Sequence, residues 1–474
     1  MVATQVREQH QRKDIEQVFE LQRGHHLVMG ATSVSERRKR LKRLLEAILR
    51  FRPAFQEAVW KDLRKPALEF DLTEIHVLVE EIRHVRRHLR RWMRPQPVPT
   101  PLTLFGSRSW IHYEPKGVVL IIAPWNYPVS LMLGPLVSAI AGGNCAILKP
   151  SEHTPHTSAV LRQLVEETFP PEEVALFEGG IETAQRLLGL PFHHIYFTGA
   201  PSVGKIVMEA ASRHLASVTL ELGGKSPTII DESADLKAAA RRTALGKFIN
   251  NGQTCIAPDY LLVHESRVEA FKELLKREVT AMYGDAAHSE HYGCIVNERH
   301  FQRVKAWLDE ALERGARVVF GGGVEESRRF VAPTLLQDVP LDCRLMREEI
   351  FAPLLPLIPF RELREAVDFI NRGEKPLALY IFSRSRKNIR YILQHTRAGG
   401  TAINHAGLQF FNPYLPFGGS NNSGIGKGHG WHGFRELTNA RAVYKQVLPT
   451  AIDWLRPPYT AWKQKIVDFV INWL

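Results

Sequence analysis

The chain has 474 residues, 44% hydrophobic and 24% charged, with a formal net charge of +12. That is the length of two or more domains and the composition of an ordinary soluble globular enzyme. No stretch approaches the roughly 20 consecutive apolar residues that span a bilayer, and the polar start "MVATQVREQHQRKDIEQ" has no apolar core of a secretory signal.

Residues 1 to 94 read as helical. Two basic segments, "SERRKRLKRLLEAILR" and "EEIRHVRRHLRRWMR", hold much of the positive charge. In the first, Leu41, Leu44, Leu45, Ile48 and Leu49 share one helical face; in the second, Ile75, Leu78, Ile82, Val85, Leu89 and Trp92 step by three and four. The Arg and Lys residues then fill the opposite, solvated faces. No zinc-finger or RNP-like motif accompanies the charge, so nucleic acid is not expected as a partner. "PQPVPTP" (95–101) reads as an extended connector, and "SWIHYEP" as a strand outside the main sheet.

From 117 onward short apolar runs alternate with helical ones. "GVVLIIA", "CAILK", "VALFE", "HIYFT" and "SVTLEL" are strands. "VSLMLGPLVSAIAGG", "TSAVLRQLVEETF", "ETAQRLLG" and "SVGKIVMEAASRHL" are the helices between them. This pattern predicts a parallel sheet covered by helices, a dinucleotide-binding architecture in outline. After 222 the alternation restarts: "PTIID", the helix "DLKAAARRTALGKFINN", "YLLVH" and the helix "RVEAFKELLKREVTAM". "RVVFGG", "FVAPTLL", "LLPLIPF" and "ALYIF" add further strands, giving a second α/β domain.

Four features could carry chemistry. Cys255, in "NNGQTCIAPDY", lies among small and polar residues rather than in an apolar run like that of Cys145. A lone cysteine fits a buried small hydrophobe as well as a nucleophile. Glu221 ends an apolar strand ahead of Gly223 and Gly224, where α/β enzymes place functional groups; a surface turn Glu is the plainer alternative. Asn126, in "APWNYP", could donate its amide to a developing oxyanion or simply occupy a turn. In "FTGAPSVGK", Gly199 and Gly204 bracket a strand-to-helix turn suited to a phosphate, though it is neither GxGxxG nor a P-loop. The four cysteines (Cys145, Cys255, Cys294, Cys343) show no metal or CxxC spacing, and His25, His26, His193 and His194 lack a ligand set, so free thiols, a reducing compartment and no metal are expected.

Together "APWNYP", "KPSE", "FTG…VG", "ELGGKSP", "GQTCIAPDY", "EEIF.P" and "LPFGG…SGIG" resemble the aldehyde dehydrogenase superfamily, in the right order from about residue 30 to 450. "IAPDY", "PYLPFGG" and the short N-terminus resemble its class 3 branch, which includes fatty and aromatic aldehyde dehydrogenases. Ala352 stands where glycine is usual, and "AGGN" precedes Cys145; neither change removes a reacting group.

The resemblance implies an α/β fold with a Rossmann-type NAD-binding domain (1–100 and 116–220), a catalytic domain (221–415), a small β oligomerisation arm (101–115 and 436–450) and a helical tail (451–474). It implies oxidation of an aldehyde to an acid. Cys255, held at a loop-to-helix junction, is the nucleophile; Asn126 and the Cys255 N–H hold the oxyanion; Glu221 activates water. Lys149 and Glu152 would face the adenosine ribose. Gly199, Ala200, Val203 and Gly204 would sit by the pyrophosphate. Glu349 and Phe351 would hold the nicotinamide ribose and ring, and Trp125, Leu222 and Gly223 would also bind the cofactor. NAD ranks first as cofactor, with NADP open. A cytoplasmic homodimer is expected, with "SWIHYEP" and "ARAVYKQVL" as bridging strands. The alternative is a non-catalytic binding or structural relative; a CoA-acylating relative is disfavoured by Glu221. In the tail, Ile466, Phe469, Val470, Trp473 and Leu474 share a face behind Lys463 and Lys465. That face suits either peripheral membrane contact or packing over a dimer partner or the substrate entrance.

Overall fold

The computed structural model describes residues 2–473, with side-chain surroundings for 15–450 and 452–473. Leu474, placed on the apolar face of the tail, lies outside the described residues.

Apart from short breaks, residues 2–92 are helical, as their periodicity requires. The helix Val34–Leu63 starts at a capping box: the Ser33 side chain accepts from the Glu36 N–H, and the Glu36 carboxylate returns to the Ser33 N–H. Its Leu41, Leu44, Leu45 and Ile48 are buried, but Leu49 is 47% exposed, one step beyond the stripe. The helix His76–Trp92 buries Leu78, Ile82, Val85, Leu89 and Trp92 against the same cluster.

One basic residue departs from the solvated face expected for it. Arg37 is buried and donates to the carbonyls of Gly30 (2.8 Å) and Ala141 (2.9 Å) and to the Thr32 hydroxyl (3.1 Å). Burial pulls its pKa down to about 10. Gly143 makes room for it at φ +85°: a Cβ there would stand 2.3 Å from the guanidinium.

The first sheet has six strands in the order Gly424–Ile425, Ser217–Leu222, His194–Gly199, Val118–Ile122, Cys145–Lys149, Val174–Leu176. All pairs are parallel except the short outer one, which is antiparallel. Chain order reverses direction between Val118–Ile122 and His194–Gly199. That is a topological switch point, and a crevice opens beyond its carboxyl ends.

Four residues, Gly223 to Ser226, carry the chain into the second sheet. This has seven strands: Arg317–Phe320, Thr334–Gln337, Leu354–Phe360, Tyr260–His264, Pro227–Ile230, Ala378–Phe382 and Gly400–Ile403. A third, antiparallel sheet joins Gln96–Val98, Ser107–Pro115 and Thr438–Gln446.

Four local expectations need correction. The connector 95–101 contains a strand, Gln96–Val98, on the edge of the third sheet. "FVAPTLL" is two strands, not one: Phe330–Val331 joins a small ribbon, Thr334–Gln337 the large sheet, and Pro333, which has no N–H to give a ladder, separates them. The helix before Cys255 ends at Phe248, and the "INNG" that follows is a tight turn with Asn250 and Asn251 at left-handed φ of 49° and 55°. Consequently Cys255 is not at a loop-to-helix junction; it lies in the turn between that kink and the strand Tyr260–His264.

Candidate active site

The site is built where the carboxyl ends of the first sheet face the amino ends of the second. A cavity of about 760 Å³ is lined by Trp125, Asn126, Gly199, Ala200, Glu221, Leu222, Gly223, Cys255, Glu349 and Phe351. Asn126 and Glu221 follow or end their strands, whereas Cys255, Glu349 and Phe351 precede theirs.

Asn126 is buried, and its Nδ2 donates to the Gln253 carbonyl at 3.0 Å. Its own carbonyl accepts from Lys65 Nζ (3.0 Å) and Asn250 Nδ2 (2.8 Å). Lys65 is sealed from solvent, as is its partner Glu74 at 2.9 Å. The other Glu74 oxygen accepts from the N–H groups of Val129 (2.9 Å) and Ser130 (3.1 Å). The Lys65 ammonium also stands 4.1 Å over the Tyr127 ring, whose hydroxyl bonds Thr254 at 2.8 Å. Thus the residue before Cys255 and the loop carrying Asn126 share one hydrogen-bonded frame.

The approach to Cys255 is equally fixed. Gln253 donates to the carbonyls of Asn250 and Cys294, both at 3.1 Å, and accepts from the Val296 N–H at 3.0 Å. Gly252, at φ +69°, lies so close to Ala352 that a Cβ would come within 2.5 Å of its carbonyl oxygen. The Cys255 thiol is half-buried at the cavity wall. Burial, then the carboxylates of Glu349 and Glu221, push its pKa up, while the N–H groups of Cys255 and Ile256 oppose the shift. The thiol is therefore protonated at neutral pH and needs a base.

Two carboxyls on the cavity wall titrate near neutrality. Burial pushes Glu221 up to about 7 against the pull of the Tyr196 hydroxyl and Lys427. Burial and Asp259 push Glu349 up to about 8 against the Gly224 N–H, Lys225 and Arg303. Lys225 ion-pairs with Asp259 and donates to the carbonyls of Leu345 (2.9 Å) and Glu348 (2.8 Å), fixing the segment that carries Glu349. Asp259 also accepts from the Ile350 N–H at 2.8 Å. The Phe351 ring meets Trp125 edge-on at 5.3 Å.

The crevice fits a dinucleotide on its own geometry. A Cβ on Gly223 would fall 1.9 Å from a Glu349 oxygen, so glycine alone lets that carboxylate reach the crevice wall. The helix Pro201–Ser212 opens at the cavity through Ala200, with no side chain capping its first N–H groups. The Thr198 hydroxyl beside it is buried and has no protein partner.

Four other residues singled out in the sequence are not on this wall. Val203 is exposed on the helix, and Gly204 packs under Leu222. Lys149 and Glu152 pair with each other at 3.0 Å at the end of the Cys145–Lys149 strand. Among the described residues no group of three or more His, Cys, Asp or Glu side chains could hold a metal. The sequence reading missed Lys65, Glu74, Tyr196, Lys225, Gln253 and Asp259. Lys225, Gln253 and Asp259 lie inside motifs already quoted; for the others no local signal exists.

The model of the aldehyde dehydrogenase family matches residues 2–443. The chain belongs to the aldehyde dehydrogenase family. A 4,4'-diaponeurosporen-aldehyde dehydrogenase of Staphylococcus aureus is 43% identical over 97% of this chain and 99% of its own length. The aldehyde dehydrogenase family 3 member B2 of Mus musculus is 42% identical over 88% of this chain and 87% of its own. The solved substrate-bound structure of Staphylococcus aureus AldH superposes with a TM-score of 0.92 at 41% identity, covering 96% of this chain and 99% of that one. The enzyme therefore oxidises aldehydes with a nicotinamide cofactor and groups with family 3 relatives.

The frame beneath the site makes a prediction about stability. Lys65→Met leaves Glu74 buried without its cation, so urea unfolding should show a loss of about 3–5 kcal/mol. A loss under about 1 kcal/mol would mean that the frame is not held by this pair.

Proposed function

We propose that Cys255 is the nucleophile, Asn126 the oxyanion donor and Glu221 the base of aldehyde oxidation. The observation carrying this reading is that thiol, amide and carboxylate line one cavity, with the carboxylate poised near neutrality. The Cys255 thiol gives its proton to Glu221, and its sulfur bonds the aldehyde carbon. The Asn126 Nδ2 and the Cys255 N–H donate to the resulting oxyanion. The nicotinamide cofactor supplies the hydride acceptor that turns the thiohemiacetal into a thioester. Glu221, deprotonated again, takes a proton from water as its oxygen attacks; the C–S bond breaks and the acid leaves.

In the crevice, the turn from Gly199 to Gly204 would receive the pyrophosphate, and Glu349 and Phe351 the nicotinamide ribose and ring. Lys149 and Glu152 would serve the adenosine end. A carboxylate at Glu152 favours NAD over NADP, and parallel assays with both cofactors test that order. The domain division is 1–100 with 116–220 for the cofactor, 221–415 for catalysis, 101–115 with 436–450 for assembly, and the tail.

The substrates are apolar, fatty or aromatic aldehydes. A second, small cavity of about 50 Å³ meets the first at Leu131 and Glu221; Val77, Leu78, Phe410 and Phe411 form its apolar wall, and Glu80, Glu81, Tyr196 and His429 are among its polar lining. Segment 408–415 leaves Leu408, Phe411, Tyr414 and Leu415 exposed beside it.

A homodimer is supported by the nine-residue edge strand Thr438–Gln446, which is mostly exposed in the single chain. Light scattering should return twice 53.9 kDa. No helix among the described residues is long and apolar enough to cross a membrane. The tail helix Ala461–Trp473 buries no side chain, and Trp462, Phe469, Ile471 and Trp473 are exposed. This exposed face suits packing over a dimer partner or the substrate entrance, with peripheral contact between a cytoplasmic enzyme and anionic lipid as the alternative. Co-sedimentation with anionic vesicles, lost on truncation at Pro458, would favour the lipid; no binding leaves the helix to the dimer partner or the entrance.

Cys255→Ala should abolish turnover while the cofactor still binds. Glu221→Gln should keep a burst of reduced cofactor and slow the steady state, because water attack follows hydride transfer. The wild-type steady state should rise with pH through about 7, as Glu221 loses its proton, and the variant should lose that rise. Equal loss of burst and steady state would place Glu221 in the first step alone.

For linear aldehydes, kcat/KM should climb about fourfold per added methylene until the apolar walls are filled, at about 0.8 kcal/mol each. A flat profile from short to medium chains would count against an apolar substrate.

A further inference from the structure

Strand alternation sends Ile195 and Phe197 to one face of the first sheet, with Leu220 and Leu222. Tyr196 lies on the other face, as does Glu221, which stands opposite Thr198 in the parallel register. There the buried Tyr196 hydroxyl donates a hydrogen bond to Glu221 Oε1. Glu221 walls both cavities, but Tyr196 walls only the small one and Cys255 only the large one. The carboxylate is thus held from the side away from the thiol.

The space for this bond comes from Gly428. A Cβ there would lie 2.9 Å from Glu221 Oε1 and 2.9 Å from the Tyr196 hydroxyl. Gly428 is pinned in turn, since its N–H donates to the Phe417 carbonyl at 2.6 Å. We propose that Tyr196 is a positioning residue for the deacylating base: its hydroxyl tethers the Glu221 carboxylate on the small-cavity side, in the room that Gly428 leaves. This rests on the reading of Glu221 as that base.

The tether favours the charged carboxylate, because an O–H donates more strongly to a carboxylate than to its neutral acid. Burial and the adjacent carboxylate hold the Tyr196 phenol protonated, well above its ordinary range. The other charges around the pair are fixed by separate contacts. Lys427 reaches over Gly418 and Gly419, whose carbonyls its ammonium bonds, and favours the Glu221 anion. Glu436 bonds Thr219, and Glu81, which burial pushes up to about 7, accepts from the Gly430 N–H; both act on Tyr196. Cys255 and Glu349 face the large cavity, and His429 stacks on Phe417.

The experiment isolates thioester hydrolysis in the full-length enzyme without cofactor. An activated aryl ester, p-nitrophenyl acetate, acylates Cys255: sulfur bonds the acyl carbon and p-nitrophenolate leaves. The first-order deacylation rate is then followed against pH. Glu221→Gln must first remove the acidic limb; if the limb survives, the base assignment fails and the tether with it. Given that control, Tyr196→Phe should move the limb upward by about one pH unit, the worth of one hydrogen bond to a charged group. Gly428→Ala, which sets a methyl 2.9 Å from both oxygens and forces them apart while keeping the phenol in the chain, should move it the same way. It also decides the matter alone if Tyr196→Phe does not fold. A limb that stays at the wild-type position in the folded variants overturns the proposal.

Discussion

The reactive groups depend on an ion pair that touches none of them. Lys65 and Glu74 are both removed from water, a costly arrangement that returns its cost only when every lone pair and proton is used. Here they are used. Glu74 takes two N–H groups at the start of the helix Ser130–Gly142, which has no side-chain cap of its own. Lys65 takes the Asn126 carbonyl and the face of Tyr127. The loop 123–129 is therefore fixed at Asn126 itself and where it enters its helix. The Asn126 amide is aimed by the Gln253 carbonyl, two residues before the nucleophile.

The same economy governs the crossing between the two sheets. Gly223 to Ser226 must pass a crevice, admit a carboxylate and lock a distant segment. The missing side chain at Gly223 admits Glu349, and Lys225 reaches Asp259 and the carbonyls of 345 and 348. One short connector thus sets both the width of the crevice and the height of its far wall. A crevice at a switch point follows from strand order alone; its chemistry follows from what the connector permits.

Much of this was legible before any coordinates. The alternating apolar runs gave both sheets, because strands buried on two faces must be apolar throughout, as Val118–Ile122 and Cys145–Lys149 are. Glu221 at a strand end and Gly223 behind it were visible for the same reason. What escaped the sequence are the partners separated by long stretches of chain. Lys65 and Arg37 stand in basic runs and look like solvated faces; their partners, Asn126 and Ala141, come 61 and 104 residues later. Tyr196 looks like one more apolar position in "HIYFT", and only the pairing with Ser217–Leu222 puts its hydroxyl against Glu221. The kink before Cys255 had a signal that went unused. Asn-Asn-Gly tolerates left-handed backbone, so the helix had reason to stop at Phe248.

The electrostatics of the site follow from the number of negative charges that a buried volume tolerates. Thiol, Glu221 and Glu349 are all shifted toward their neutral forms, and burial is the largest cause for each. Glu221 is the lowest of the three, at about 7; Glu349 follows at about 8, since beyond burial Asp259 repels its anion. At neutral pH Glu349 is then mostly uncharged while Glu221 is part ionised. That order matters because Glu349 opposes the thiolate more strongly than Glu221 does. With Glu349 neutral, a proton passing from Cys255 to Glu221 moves one negative charge from carboxylate to sulfur and adds none. The thiolate then forms without a second anion beside it, and like-charge repulsion does not have to be overcome before the carbon–sulfur bond is made.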